Sequence, residues 1–275
     1  MGKIRALAEF LTRRGPDREV PKRWLLQTSS KFDHSFVQSA KYSVAQLDDC
    51  VEVTTGGQRF LWPRSARFPM ILQVMSELLT PNHPHQYLYG PTQVSAEDVV
   101  MDIGACEGSF SALMTSRCRR VIAVEPSRDM CALIAKLFDI RQEQPPILLN
   151  CLLGDASSTA YFLEDPSNPG GSRITPELVA DAYPVSVRTL DEVVETLELK
   201  PTFIKCDAEG FEPRIFAGGR KFLTAHRPKL AITTYHNVGD YSVMYALLKS
   251  MGYNVMGKGL FYTAGTLRVQ MIHAW

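Results

Sequence analysis

No run of 18 apolar residues occurs in this 275-residue sequence, which excludes a membrane-spanning helix. Paired cysteines are missing too. The six cysteines, at positions 50, 106, 118, 131, 151 and 206, form no C-x-x-C. At least Cys151 and Cys206 fall in or beside apolar strand-like runs, so the thiols read as small core residues in a reducing compartment, not as a zinc site or disulfide frame. An excess of one charge is also lacking. A formal net charge of +1 gives no field for nucleic acid. The N-terminus, M-G-K-I-R-A-L-A-E-F-L-T-R-R, has too many charges and too short an apolar length for a secretory signal, so a cytoplasmic location is expected. With 45% hydrophobic residues, the chain can bury one large core with a small appendage.

The most informative stretch runs from Asp98 to Ser127, D-V-V-M-D-I-G-A-C-E-G-S-F-S-A-L-M-T-S-R-C-R-R-V-I-A-V-E-P-S. Val99 to Ile103 is too short for a helix and is bounded by Gly104, which predicts a buried parallel strand. Phe110, Leu113 and Met114 stripe a helix from near Glu107 to about Cys118, and Val121 to Val124 is a second strand ending at Glu125. The unit predicts a right-handed crossover with a ligand crevice at the carboxyl ends of the strands.

A dinucleotide turn, G-x-G-x-x-G aligned on Gly104, needs glycine at 106 and 109, where the chain has Cys106 and Ser109. The turn is acidic as well. Asp102 and Glu107 disfavour a phosphate and favour a cationic ligand, and Glu125, 21 residues past Gly104, could accept from a ribose diol. Such charge-assisted bonds are worth about 1.5–3 kcal/mol each. S-adenosylmethionine, with a sulfonium, an ammonium and no phosphate, has that chemistry. The plainer alternative is that Gly104 and Gly108 only permit a tight turn over solvated acids.

D-I-G-A-C-E-G-S-F, V-E-P-S and the later I-K-C-D-A-E-G-F-E together resemble the FkbM family of S-adenosylmethionine-dependent methyltransferases, over about residues 87 to 256. The resemblance implies an α/β fold of class I methyltransferase type, a Rossmann-like seven-stranded sheet, mostly parallel with the last strand antiparallel. It also implies cofactor contacts from Asp102, Gly104, Ala105, Gly108, Ser109, Phe110, Glu125, Pro126, Ser127 and Asp207. Asp155, beyond the third strand, is the candidate for the adenine amino group, with a simple Gly-Asp turn as the alternative.

Residues 1–86 read as an N-terminal extension of helix, hairpin and helix, and residues 87–275 as the catalytic domain. The first 31 residues carry eight Lys or Arg against three acids, with Ile4, Leu7, Ala8 and Leu11 on one helical side. An apolar trio, Trp24, Leu25 and Leu26, follows Pro16 and Pro21. A hairpin is expected over Val51 to Trp62 around Gly56-Gly57, and a helix over Arg67 to Leu79. His83-Pro84-His85 could chelate a metal, but a proline-broken loop is a common place for exposed histidine. In the lead-in Tyr87-Leu88-Tyr89-Gly90-Pro91, which resembles one seen in the family, an aromatic could cover the methionine end of the cofactor, face the acceptor or equally join the core. Ile147 to Leu153 is expected as the third strand, and 156–184 as a hairpin-bearing insertion that could close over the acceptor. Val185 to Val187 then enters a helix capped by Thr189.

Pro201 to Asp207 is expected as the fourth strand and Leu230 to Tyr235 as the fifth, which brings Asp207, Glu209, His236 and Asn237 to one sheet edge. Val238, Tyr241, Tyr245 and Leu248 stripe the helix after it. Methyl transfer to a hydroxyl needs in-line alignment and removal of a proton, and His is the side chain matched to that task near neutral pH. His236 is therefore the candidate base, with Asp207 or Glu209 orienting it or the cofactor. A strand-end histidine bonded to backbone is the alternative. A divalent metal at Asp207 and His236-Asn237 is possible but not favoured, because magnesium prefers oxygen to imidazole. The acceptor expected from the resemblance is a hydroxyl of a sugar, glycan or secondary metabolite, with no nucleic acid or membrane partner and a homo-oligomer possible. A nicotinamide oxidoreductase and a non-catalytic binding scaffold on the same fold are the competing functions.

Overall fold

A computed structural model describes residues 2–12, 15–16, 20–21, 28–29, 41–165, 171–175 and 177–275. The chain opens with α1 (Gly2–Thr12), the two-residue strand β1 (Thr28–Ser29), β2 (Tyr42–Gln46), β3 (Cys50–Thr55), β4 (Gln58–Pro63) and α2 (Phe68–Leu79). Then come β5 (Val99–Ile103), α3 (Ser109–Met114), β6 (Arg120–Val124), α4 (Arg128–Arg141), β7 (Ile147–Leu149) and β8 (Leu152–Gly154). β9 (Ser158–Leu163), β10 (Arg173–Thr175), β11 (Tyr183–Thr189), α5 (Leu190–Glu195) and β12 (Phe203–Cys206) follow. The chain closes with α6 (Glu212–Ala217), α7 (Arg220–His226), β13 (Lys229–Thr233), α8 (Asp240–Ser250), β14 (Val255–Thr263) and β15 (Thr266–Ala274).

The main sheet has the order β1-β14-β15-β13-β12-β5-β6-β7. β15 runs antiparallel to both β13 and β14, and the other pairings are parallel. Apart from the short β1, this is the expected seven-stranded sheet with its last strand reversed. All residues of β5 and β12 are buried, as two-sided burial in a parallel sheet requires. β2, β3 and β4 form a small separate sheet, whose β3–β4 hairpin turns at Gly56 and Gly57 with φ of 56° and 77°.

Four expectations are corrected. The third strand is not continuous: β7 ends at Leu149, and β8 leaves to pair with β11 in a four-stranded sheet with β9 and β10. The Asn150 amide causes the break by donating to the carbonyls of Glu125 and Pro126, both at 2.9 Å, which turns the chain out of the sheet. The first glycine-turn helix starts at Ser109, not Glu107, because Gly108 before it holds φ +81°. α1 buries Ala6 and Phe10, while Ile4 stays 77% and Leu11 49% exposed, so its inner face is rotated from the apolar stripe. Val238, at 83% exposure, precedes α8 and is not part of its buried face. Trp24, Leu25 and Leu26 lie outside the described residues. Thr189 caps α5 as expected, with Glu192 completing a reciprocal capping box. Among the described residues, no helix is long and apolar enough to cross a membrane.

Candidate active site

A cleft of about 960 Å³ opens at the carboxyl ends of β5, β6, β7, β12 and β13. The sheet edge puts it there, since Ile103 and Val124 end their strands in its lining and Cys151, Asp207 and Tyr235 stand one or two residues beyond the ends of theirs. At the first turn, Gly104 holds φ +69°, and a Cβ there would stand 1.9 Å from the Asp207 carbonyl oxygen. Only glycine lets the β5 turn approach the β12 turn so closely. Gly104, Ala105, Phe110, Glu125, Pro126, Ser127 and Asp207 all line the cleft, together with Cys106 and Glu107.

Glu125 is 6% exposed and accepts backbone N–H bonds from Cys106 and Ser127, each at 2.8 Å. Burial pushes its carboxyl up to about 7, against those two bonds and the Lys205 charge, which lower it. Burial also raises Glu107.

Four sequence candidates lie outside the cleft lining. Asp102 is fully buried behind the turn, where it pairs with Lys205 Nζ at 2.9 Å and accepts from the Ser111 hydroxyl at 2.7 Å. Its charge is matched inside the protein, so an argument from Asp102 to a cationic ligand no longer holds. Burial lowers the Lys205 pKa, but Asp102 and Asp207 outweigh it and hold the ammonium above its ordinary range. Gly108 and Ser109 pack inward; a Cβ on Gly108 would meet Ile134 at 2.8 Å. Asp155 is bound by Arg214, whose guanidinium donates at 2.8 and 3.0 Å.

At the other end of the cleft the chain gathers Asp207, Glu209 and His236. His236 Nε2 stands 3.4 Å from Asp207 Oδ1 and 3.5 Å from Glu209 Oε2, and its Nδ1 stands 3.2 Å from Glu212 Oε1. Burial pulls the imidazole pKa down, but Glu212, Asp207 and Glu209 reverse that and lift it to about 9. Burial works against Asp207 ionising, yet His236, His85, Lys205 and Tyr87 bring its pKa to about 2. Asp207, Glu209 and His236 also form the one group among the described residues whose ligand atoms converge as a metal site requires.

The contacts of His85, Tyr235 and Arg268 here escape the sequence, whereas an aromatic of the lead-in and the insertion are anticipated by it. His83 and His85 are buried, not exposed. His85 lies between Glu77, 2.9 Å from Nδ1, and Asp207, 3.7 Å from Nε2. Tyr87 lines the cleft and donates to Asp207 Oδ2 at 2.7 Å, whereas Tyr89 packs on the core beside His273. Tyr235 and Arg268 line the same end, and Arg268 donates to the Tyr235 and His236 carbonyls at 2.8 Å. The insertion contributes Phe162, Ser172, Arg173 and Ile174. Lys205 had a readable signal: it is a charged residue inside a buried strand, in register with the opposite charge of Asp102 on the neighbouring strand.

Comparison with known proteins agrees with this architecture. The methyltransferase FkbM domain model matches residues 102–255, more than half of the chain. The crystal structure of the methyltransferase FkbM from Methylobacillus flagellatus KT is similar at 23% identity and a TM-score of 0.51, covering 68% of this chain. This chain spans only 47% of that protein. Weaker similarity extends to a precorrin-6y C5,15-methyltransferase from Geobacter metallireducens GS-15, at 12% identity and TM-score 0.46, covering 78% of this chain and 93% of that one. TYW2 from M. jannaschii, in complex with AdoMet, is similar at 10% identity and TM-score 0.43, covering 84% and 87%. No functionally curated protein matches. The fold is that of class I methyltransferases, and the chain belongs to the FkbM methyltransferase family.

Proposed function

We propose that this protein transfers a methyl group from S-adenosylmethionine to a hydroxyl oxygen, with a sugar, glycan or secondary metabolite as acceptor. The observation that carries the cofactor half is Glu125, a buried carboxylate whose two oxygens are oriented by the Cys106 and Ser127 N–H groups at the wall of the cleft. Ribose hydroxyls donating to it would restore the solvation it lost on folding. Met130, Cys151, Leu153 and Phe162 give an apolar wall beside it, suited to a flat purine. Bound there, the cofactor supplies a methyl carbon made electrophilic by its sulfonium. Among this chain's residues, Asp207 and Glu209 flank the acceptor corner, and His236 in its neutral form is the candidate base. The acids around it hold it protonated below about pH 9, so transfer is expected to quicken as the pH rises toward that value. The insertion residues Ser172, Arg173 and Ile174 also line the cleft and are the candidates for acceptor specificity. A nicotinamide dinucleotide is disfavoured by Cys106 and Ser109 at the glycine positions and by Glu107 and Glu125 facing the same turn.

Calorimetric titration with S-adenosylmethionine tests this. Glu125→Ala is expected to weaken binding about tenfold or more, corresponding to at least one charge-assisted bond. Unchanged affinity would remove the ribose assignment. The pH dependence follows from the elevated carboxyl: above pH 7 Glu125 is ionised and can accept both hydroxyls, and below 7 it is protonated and loses acceptor strength. Wild-type affinity should therefore fall as the pH drops through about 7. The variant's affinity should stay flat over the same range. The sign for folding is opposite, because a raised carboxyl pKa makes the ligand-free protein more stable as pH falls through that value.

A further inference from the structure

We propose that Asp207, Glu209 and His236 bind a single divalent first-row transition metal ion, an inference that rests on that corner being the acceptor end of the cleft. Their ligand atoms all lie within 4.8 Å of one another. The 3.4 and 3.5 Å separations from His236 Nε2 to the two carboxylates are too long for charge-assisted hydrogen bonds, which run at about 2.7–2.9 Å. They lie at, or a tenth of an ångström beyond, the spacing that ligands of a shared ion take. Ligands about 2.1 Å from a common centre, at about 90–110° to one another, stand roughly 3.0–3.4 Å apart.

The imidazole is an independent observation. Its side chain is 9% exposed, and neither ring nitrogen completes a hydrogen bond of acceptable geometry despite the acids around it. Nδ1 faces Glu212, the kind of carboxylate that commonly orients a metal-bound imidazole from its far side. Tyr87 takes Asp207 Oδ2, which leaves Oδ1 directed to the corner, where it also accepts from Thr233 at 3.0 Å. One imidazole with two carboxylates suits Mn²⁺, Fe²⁺, Co²⁺ or Zn²⁺ better than Mg²⁺, which favours oxygen throughout.

With an ion bound, His236 would serve as a ligand in place of the base role given to it above. An ion held by Asp207, Glu209 and His236 would act as a Lewis acid toward an acceptor hydroxyl, whose proton would pass to solvent buffer. The oxygen lone pair then forms the O–CH₃ bond as the CH₃–S bond breaks, and that electron pair stays on sulfur, giving a neutral thioether.

The full chain, stripped with a chelator and dialysed, is titrated with MnCl₂ by electron paramagnetic resonance and with ZnCl₂ by calorimetry. One of these ions is expected to bind at one per chain, about tenfold or more weaker in Glu209→Gln and in His236→Ala. Thermal unfolding of the metal-free variants shows whether they remain folded, and exposed Glu209 makes the first of them the safer. Chelation is expected to stop transfer, added ion to restore it, and S-adenosylmethionine binding to persist throughout. A wild type that binds neither ion, or variants that bind as the wild type does, overturns the metal while leaving methyl transfer standing. Loss of cofactor binding in the untreated protein overturns the methyltransferase reading, and the metal titration is read independently of it.

Discussion

Lys205→Met is expected to destabilise the protein by about 3–5 kcal/mol, a large part of the roughly 5–15 kcal/mol that holds a typical domain. The ammonium is buried, pairs with Asp102 at 2.9 Å and donates to the Gly104 carbonyl at 2.6 Å. Removing it leaves Asp102 as an uncompensated charge at the centre of the sheet, with the Ser111 hydroxyl as its remaining side-chain partner among the described residues. Urea unfolding at neutral pH measures the effect, and Asp102→Asn added to Lys205→Met should recover part of it, since the buried charge is then gone. A lysine pKa raised in the folded state contributes stability below its unfolded value and loses it as pH rises through the folded one. The deficit should thus be constant across neutral pH. A midpoint close to wild type in the single variant would show that water or backbone compensates Asp102.

His236→Ala is expected to lower kcat by about 10²–10⁴-fold while leaving the dissociation constant for S-adenosylmethionine unchanged. The separation of effects follows from position. His236 sits at the end of the cleft away from Glu125, held among Asp207, Glu209 and Glu212 and against Tyr235, whose ring centroid is 4.4 Å away. The loss is expected whether the imidazole takes the acceptor's proton or holds an ion that activates it. Retained turnover in the variant would leave proximity alone to account for transfer. Weakened cofactor binding with normal kcat would move His236 to the cofactor side.

Much of this architecture was legible because the signals are local. Val99–Ile103 and Phe203–Cys206 are largely apolar runs too short to be helices, with Gly104 just after the first, Pro213 in the first turn of α6 and Gly218-Gly219 just after that helix. Glu125 could be placed because one helix and one strand separate it from the glycine turn. What failed was nonlocal. Nothing near His85 in sequence shows that it meets Asp207, since that contact bridges the loop before β5 and the turn after β12. Asp155 and Asn150 illustrate the same limit. The strand continued in hydropathy, but a side-chain amide caught two carbonyls of the neighbouring turn and sent the following acid to Arg214. Asp102 and Lys205 show how an electrostatic inference from one segment can miscarry, because each was the other's counter-ion across adjacent strands.

The most direct measurement of the central claim is a crystal structure with S-adenosylhomocysteine bound. The expected result is the ribose diol within hydrogen-bond distance of the Glu125 carboxylate, the purine against Met130 and Leu153, and the sulfur turned toward Asp207 and His236. The nucleoside bound away from Glu125, or the cleft filled instead by a phosphate-bearing dinucleotide at the Gly104 turn, would contradict it.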